Sequence, residues 1–585
     1  MRPPTACEFC RSRRRRCQRI PPDSAICALC QKHNVPCVPT APIASAAPKA
    51  AHTRGSSFGT AARPTSVNAN TNANASAHVN GIAPPQIDDG GSPHAASLPQ
   101  TSTYQFSSTS PGVFDLAVSD GVPLPPSAVC FHLANLYFDY VHDQLHTLFQ
   151  KPAFMADMVM NRVPPVIMFA VIALSARFSS HDFFAGVSPR VRGVQYARKS
   201  ASLFDPSDVS LQSIQASVLL GACRIVEGDA PAESVYYGIA CRMAQLIDLP
   251  HRVCTNRLER EINIRVWHTL CMVDEWSSTG LQVPKQIAVP AADVPLPMEE
   301  MAFLQLRNYD TADTIAQDDF PSSSSSSLLA QMIVLNRILA DVNRLNKSAV
   351  DEGAMALNMG QVEALSKRLD DWEMQLPHFI RDDPSNLAHY AAQGLGRIYV
   401  AVYCGYYHFG QLLFYQYLHN STNTNDDSAG ESQHDRSLAQ KCKEHAAKLC
   451  NIIYAAHQTP GCDVLYNMIG HVLVVASTVQ IHTLLFSSDD DEIAAAKQRL
   501  ESNFEILLKL RALWPSLDYC MMRLQAFHKA CRNSMETSFK LDRWMLKFLS
   551  EFAKPVDDKP SAGEQWVIND IAITPMSDFA IDSIF

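Results

Sequence analysis

The stretch Cys7-Glu8-Phe9-Cys10-Arg11-Ser12-Arg13-Arg14-Arg15-Arg16-Cys17 is followed, after nine residues, by Cys27-Ala28-Leu29-Cys30-Gln31-Lys32-His33-Asn34-Val35-Pro36-Cys37. Each half reads C-x2-C-x6-C, and none of the other eleven of the 17 cysteines forms a C-x2-C pair. Structural zinc takes four ligands in a tetrahedron, and thiolates suit it. One zinc would leave two of the six thiols over, and two independent zincs would need eight. Two zincs that share two thiolates need six. The internal duplication points to the first cysteine of each half, Cys7 and Cys27, as the shared pair. Cys10 and Cys17 then complete one metal, and Cys30 and Cys37 the other. A piece of about 40 residues is too small to build a sufficient hydrophobic core, so metal takes over that role.

Charge separates this end from the rest of the 585-residue chain. Residues 1–40 hold Arg2, Arg11, Arg13, Arg14, Arg15, Arg16, Arg19 and Lys32 against Glu8 and Asp23, a net +6, while the whole chain carries −9 and the remainder therefore −15. A basic module on an acidic body points to a polyanionic partner for the module alone. Cys10 and Cys17 pin both ends of the arginine run to one metal, which distinguishes it from an isolated nuclear-import patch.

The cysteine spacing and its basic run resemble the fungal Zn2Cys6 binuclear-cluster transcription factors. In that family the first and fourth cysteines bridge the metals. The resemblance implies a nuclear protein that binds double-stranded DNA in the major groove, reads CGG-type triplets and regulates transcription, more in the manner of an activator than a repressor. It places base reading on the basic residue three before the third cysteine, here Arg14, with Arg13 and Arg15 next. Arg11, Arg16, Arg19 and Lys32 then position the module on phosphates. The run departs from the family in being all arginine and in having Gln18 after the third cysteine. Members of the family commonly control one pathway each. The expectation here is a secondary-metabolite gene cluster, with nutrient catabolism as the alternative.

Beyond the cysteines, residues 41–127 are poor in charge and rich in Ala, Ser, Pro, Thr and Asn, a composition that predicts a disordered linker. Pro39, Pro42 and Pro48 interrupt the place where a dimerising coiled coil would follow the cluster, so any homodimer is expected through the region beyond it. From 128 to 552 apolar residues recur at helical spacing: Leu133/Leu136/Tyr137/Tyr140/Val141, Ala240/Met243/Ala244/Ile247, Ile264/Trp267/Leu270/Cys271, Leu365/Leu369/Trp372/Leu376 and Leu500/Phe504/Leu507/Arg511/Trp514. The fold class expected is a small Zn2Cys6 module joined by a disordered linker to a large all-α domain. Polar loops are expected at Ser322–Ser327 and Ser421–Asp435. Tyr137–His142, Gly238–Ala244 and Glu261–Trp267, continuing to Asp274, resemble the middle homology domain of the same factors, which implies a helical regulatory domain. The last segment, 553–585, alternates Glu564, Asp570, Asp578 and Asp582 with large apolar residues. It reads either as an activation segment for a coactivator or as a strand of chain packed on the helical domain.

Other functions are disfavoured by what the sequence lacks. It contains no H-E-x-x-H, G-x-S-x-G, G-x-G-x-x-G or G-x-x-x-x-G-K-[ST], so an enzyme is not expected. A zinc scaffold that never reads bases is the remaining alternative, and the six arginines between Arg11 and Arg19 count against it. His132, His142 and His146 are read as sharing a helix, but as ordinary histidines rather than metal ligands. Arg265–Asp274 is read as an internal ion-pair and packing site. The apolar runs Val163–Ala176 and His471–Phe486 are expected to be buried core helices, with no membrane partner. Met1-Arg-Pro-Pro-Thr lacks the apolar run of a signal peptide, so secretion is not expected, and the eleven scattered cysteines are expected to be small buried hydrophobes.

Overall fold

The computed structural model describes residues 26, 27, 30, 31 and 37, and residues 121–560 apart from 145, 288–292, 308–325, 352–358, 421–428 and 553; the side chains of 420, 429–432 and 536 also lie outside the description. The predicted linker, most of the basic module and the acidic C-terminal stretch beyond 560 thus lie outside the described residues. The chain divides into two compact units, Met1–Pro111 and Gly112–Phe585.

In the second unit the described elements are α-helices and short 3-10 turns, with no strand. In chain order the helices are α1 (Ser127–Tyr140), α2 (Lys151–Val159), α3 (Pro165–Ser175), α4 (Val194–Leu203), α5 (Leu211–Val226), α6 (Ala230–Leu246), α7 (Arg257–Leu281), α8 (Glu300–Gln305), α9 (Leu328–Asp351) and α10 (Met359–Gln375). They continue with α11 (Pro384–Ala392), α12 (Gly396–Phe414), α13 (Tyr417–Asn420), α14 (Ala429–Gln458), α15 (Met468–Phe486), α16 (Asp490–Arg511), α17 (Leu517–Asn533), α18 (Met535–Ser538) and α19 (Arg543–Ser550). The all-helical expectation holds.

Local chemistry sets the ends of the long helices. Asn256 caps α7 by accepting the Glu259 N–H at 2.8 Å, and Glu259 reaches back to accept the Thr255 N–H at 3.1 Å. The other end stops at Gln282, which takes the left-handed conformation with φ 57°. Asp489 caps α16, whose first turn holds Asp490, Asp491 and Glu492 and whose last turn holds Lys509 and Arg511. That placement opposes the helix dipole at both ends.

Two helices that are apolar nearly all round form the centre. In α12 almost every side chain from Ile398 to Phe414 is buried, and α15 is buried from Met468 to Gln480. A helix without a polar face has to be enclosed by others. The helix α15 is long and apolar enough to cross a membrane, yet it packs against α12, α14, α16 and α17 inside the unit. Like α15, the apolar α3 is a core helix, as expected. Close helix approach requires glycine at particular points. A Cβ on Gly410 would lie 2.4 Å from the His445 ring where α12 meets α14, and one on Gly221 would lie 2.4 Å from the Tyr237 ring where α5 meets α6.

Two expectations need correction. The helix α1 stops at Tyr140, because Asp143 turns the chain through the left-handed region at φ 64°. His142 and His146 are therefore not on the helix of His132. Instead His142 Nε2 accepts the N–H groups of Leu148 and Phe149 at 3.1 Å, and His146 Nε2 pairs with the Tyr137 hydroxyl at 3.1 Å. The second correction concerns the polar loop through Asp435, since α14 already begins at Ala429. Its first turns are polar and carry no apolar period, so periodicity registers the helix only from Leu438.

Candidate zinc cluster and regulatory domain

In the first unit the Gln31 N–H, one residue beyond Cys30, turns back to bond the Cys27 carbonyl at 3.0 Å. That turn brings the Cys30 N–H to 3.4 Å from Cys27 Sγ, and the Cys27 N–H lies 3.4 Å from Cys37 Sγ. Cys27 and Cys30 are fully buried, Cys37 is half-buried, and the three sulfurs lie within 4.8 Å of one another. Two thiolates on one tetrahedral zinc stand about 3.8 Å apart, from Zn–S bonds of roughly 2.3 Å. Three sulfurs gathered to this spacing, two accepting backbone N–H bonds, fit a zinc thiolate site. As thiolates they would repel one another, and a dication offsets that charge while the N–H donors stabilise the sulfurs. Of the predicted site residues, the structure brings together Cys27, Cys30 and Cys37. Cys7, Cys10, Cys17, Arg11, Arg13, Arg14, Arg15, Arg16, Arg19 and Lys32 lie outside the described residues.

In the second unit the segment read as an ion-pair site is a clamp built on α7. Arg265, 2% exposed, donates from Nε to Glu261 Oε1 at 2.9 Å and from its terminal nitrogen to the Met298 carbonyl at 2.7 Å, with the guanidinium 3.9 Å from the Phe303 ring centre. Glu261 also accepts the Met298 N–H at 2.9 Å. About two and a half turns further along α7, Asp274 accepts the N–H groups of Gln286 and Ile287 at 3.1 and 2.8 Å. His268, the residue between these pairs, bonds the Pro295 carbonyl at 2.9 Å, and burial lowers its pKa to about 4. The polar residues of α7 thus fasten Gln286, Ile287, Pro295 and Met298 to the helix.

Sequence reasoning missed two further features. Glu300 accepts from Ser327 Oγ, the Leu328 N–H and the Leu329 N–H at 2.9, 2.9 and 3.0 Å, so a remote carboxylate caps α9. A cavity bounded by α7, α9, α12 and the start of α15 is lined in part by Gln144, Trp276, His408 and Tyr466. These residues come from four distant segments, and no local pattern joins them.

Comparison with known proteins follows the same division. Residues 5–45 match the fungal Zn(2)-Cys(6) binuclear cluster domain, and residues 134–374 match the fungal specific transcription factor domain. The chain therefore carries both domains of the family it resembles, and the cluster domain is one that holds two zinc ions on six cysteines. An uncharacterized transcriptional regulatory protein of Schizosaccharomyces pombe is 34% identical over 176 residues, 27% of this chain and 18% of the relative. A Zn(2)-C6 fungal-type transcription factor of Fusarium oxysporum f. sp. lycopersici is 25% identical over 195 residues, covering 31% and 21% respectively. A second uncharacterized transcriptional regulatory protein of Schizosaccharomyces pombe is 23% identical over 314 residues, 47% of this chain and 37% of that protein. The matched stretch thus spans about a fifth of the length of the first two relatives. No solved structure is significantly similar to the chain.

Proposed function

We propose that the protein is a nuclear transcription regulator that binds double-stranded DNA through residues 1–40. Two zincs, bridged by Cys7 and Cys27, hold the module, with Cys10 and Cys17 on one metal and Cys30 and Cys37 on the other. Arg14 reads a CGG-type triplet, flanked by Arg13 and Arg15. Arg11, Arg16, Arg19 and Lys32 bind phosphates. Residues 41–127 serve as a linker, 128–552 form the regulatory domain and any homodimer contact, and 553–585 recruit a coactivator, which makes the protein an activator rather than an enzyme. A single secondary-metabolite pathway is the proposed target, with nutrient catabolism the alternative; this part rests on the family resemblance alone.

The observation that carries the reading is the gathering of Cys27, Cys30 and Cys37 within 4.8 Å, inside the stretch that matches the cluster domain. The test uses full-length, zinc-loaded protein on duplexes selected from random DNA. Arg14→Ala is expected to lower affinity for the selected triplet by about tenfold or more while sparing scrambled DNA, since one bidentate arginine–guanine pair discriminates by roughly 1–3 kcal/mol. Lys32→Ala is expected to weaken all sequences alike and to lower the salt slope by about one. Equal losses of Arg14→Ala on both DNAs would overturn the assignment of base reading to Arg14, and failure to select any duplex from random DNA would favour the scaffold reading. Genome-wide mapping of binding sites decides the pathway.

A further inference from the structure

Four helices leave a space between them that the packing does not fill. The cavity has a volume of about 90 Å³ where Met272 and Trp276 of α7, Leu335 and Asn336 of α9, Gly405 and His408 of α12, and the start of α15 face one another. That is several times the roughly 10–15 Å³ that a single water needs, so a small organic group fits. None of the lining residues is exposed, and none is Asp, Glu, Lys or Arg. The Trp276 indole is held as a wall by its N–H bond to Asn336 Oδ1 at 3.1 Å and by stacking on the His408 ring at 6.1 Å, with 13° between the planes.

Three of the lining side chains have buried polar atoms with no partner among the described residues. Both ring nitrogens of His408 are unpaired, as are Gln144 Nε2 and the Tyr466 hydroxyl, and His408 is 0% exposed. Buried polar groups are ordinarily paired, and an unmade hydrogen bond there is costly. Three such residues lining one cavity ask for a bonding partner inside it. Burial, with the Arg523 cation nearby, lowers the His408 pKa to about 3, so the ring is neutral and offers one N–H and one acceptor nitrogen. Burial raises the Tyr466 pKa, so its hydroxyl stays protonated. An ion entering this lining would meet no charged side chain within the lining itself, and desolvation would penalise it.

We infer that this cavity is a binding site for an uncharged, largely apolar small molecule that carries a hydroxyl or carbonyl group to bond His408, Gln144 or Tyr466. The apolar part stacks on Trp276 and packs on Met272, and the polar group meets the unpaired atoms. The inference does not depend on DNA binding, and its test contains no DNA.

The test is calorimetric titration of the full chain with phenol and 1-butanol, one flat and one linear, and with their carboxylate counterparts benzoate and butanoate. At least one alcohol is expected to bind with a dissociation constant of about 100 μM or tighter, as ligands of this size allow, and to raise the melting temperature. The matching carboxylate is expected to bind at least about tenfold more weakly. His408→Leu removes two unpaired nitrogens and is expected to fold while losing alcohol binding about tenfold. Gly405→Leu fills the space from α12, where a Cβ would meet only the Phe409 ring at 3.6 Å. It is expected to abolish binding and leave the melting temperature equal or higher. Failure of both alcohols to bind would mean a cavity that holds water only and would overturn the inference. So would binding that survives both substitutions, or a carboxylate that binds as tightly as its alcohol.

Discussion

Glu233 is a carboxylic acid placed where a carboxylate is costly. It is buried, its one described partner is the Ser277 hydroxyl at 2.8 Å, and burial raises its pKa to about 8. The unfolded value is near 4.5. Between these pH values the folded chain holds a proton that the unfolded chain releases, so this group's contribution to stability declines as pH rises from about 4.5 to 8. Glu233→Gln is therefore expected to match the wild type near pH 5 and to be more stable at pH 8–9, by on the order of 2–3 kcal/mol. Melting curves across that range check it, and a constant difference would show that Glu233 does not titrate there. The cysteines carry a second prediction. In native mass spectra of the full chain, Cys27→Ala is expected to disturb both zincs and Cys37→Ala chiefly one. A single zinc on the wild-type protein would overturn the bridged arrangement. The zinc thiols were legible because coordination fixes ligand number and spacing within one short segment. His408, Gln144 and Tyr466 were not, because what sets them apart is a missing partner, which only the assembled fold reveals.

Among the elements, α7 does the most to position others. Its Glu261, Arg265, His268 and Asp274 hold Gln286, Ile287, Pro295 and Met298, none of which lies in a helix. Asp274→Ala would leave the buried Ile287 N–H and the neighbouring Gln286 N–H without their acceptor, and is expected to cost about 2–4 kcal/mol. Hydrogen exchange should show these two amides opening first, with Asp274→Asn partly restoring protection. Unchanged exchange at both amides would contradict the clamp. Periodicity marked α7 because its buried Ile264, Trp267 and Leu270 repeat at helical spacing. The polar function of the same helix was visible only as charges within an apolar pattern. Periodicity fails where a helix has no polar face or no apolar one, as at the two ends of the scale in α15 and the first turns of α14.

At the scale of the molecule, metal and core stabilise different units. Stripping zinc from the full chain with a chelator is expected to abolish DNA binding while shifting the melting of the helical unit by less than about 2 °C, because structural zinc stabilises only the fold built around it. A larger shift would mean that the two units fold as one. The core that remains is rich in thiols. Cys130, Cys223, Cys241, Cys404, Cys442, Cys450, Cys462, Cys520 and Cys531 are all buried, and burial raises the pKa of Cys223 to about 12 and those of Cys450 and Cys520 to about 11. Only the thiolate attacks an alkylating reagent, so these nine stay silent while the helices remain closed. Each opening of the core turns a hidden sulfur into a permanent mark. With reagent in enough excess to trap each opening, counting the marks by mass over time reads the unfolding rate of the helical unit from its own cysteines.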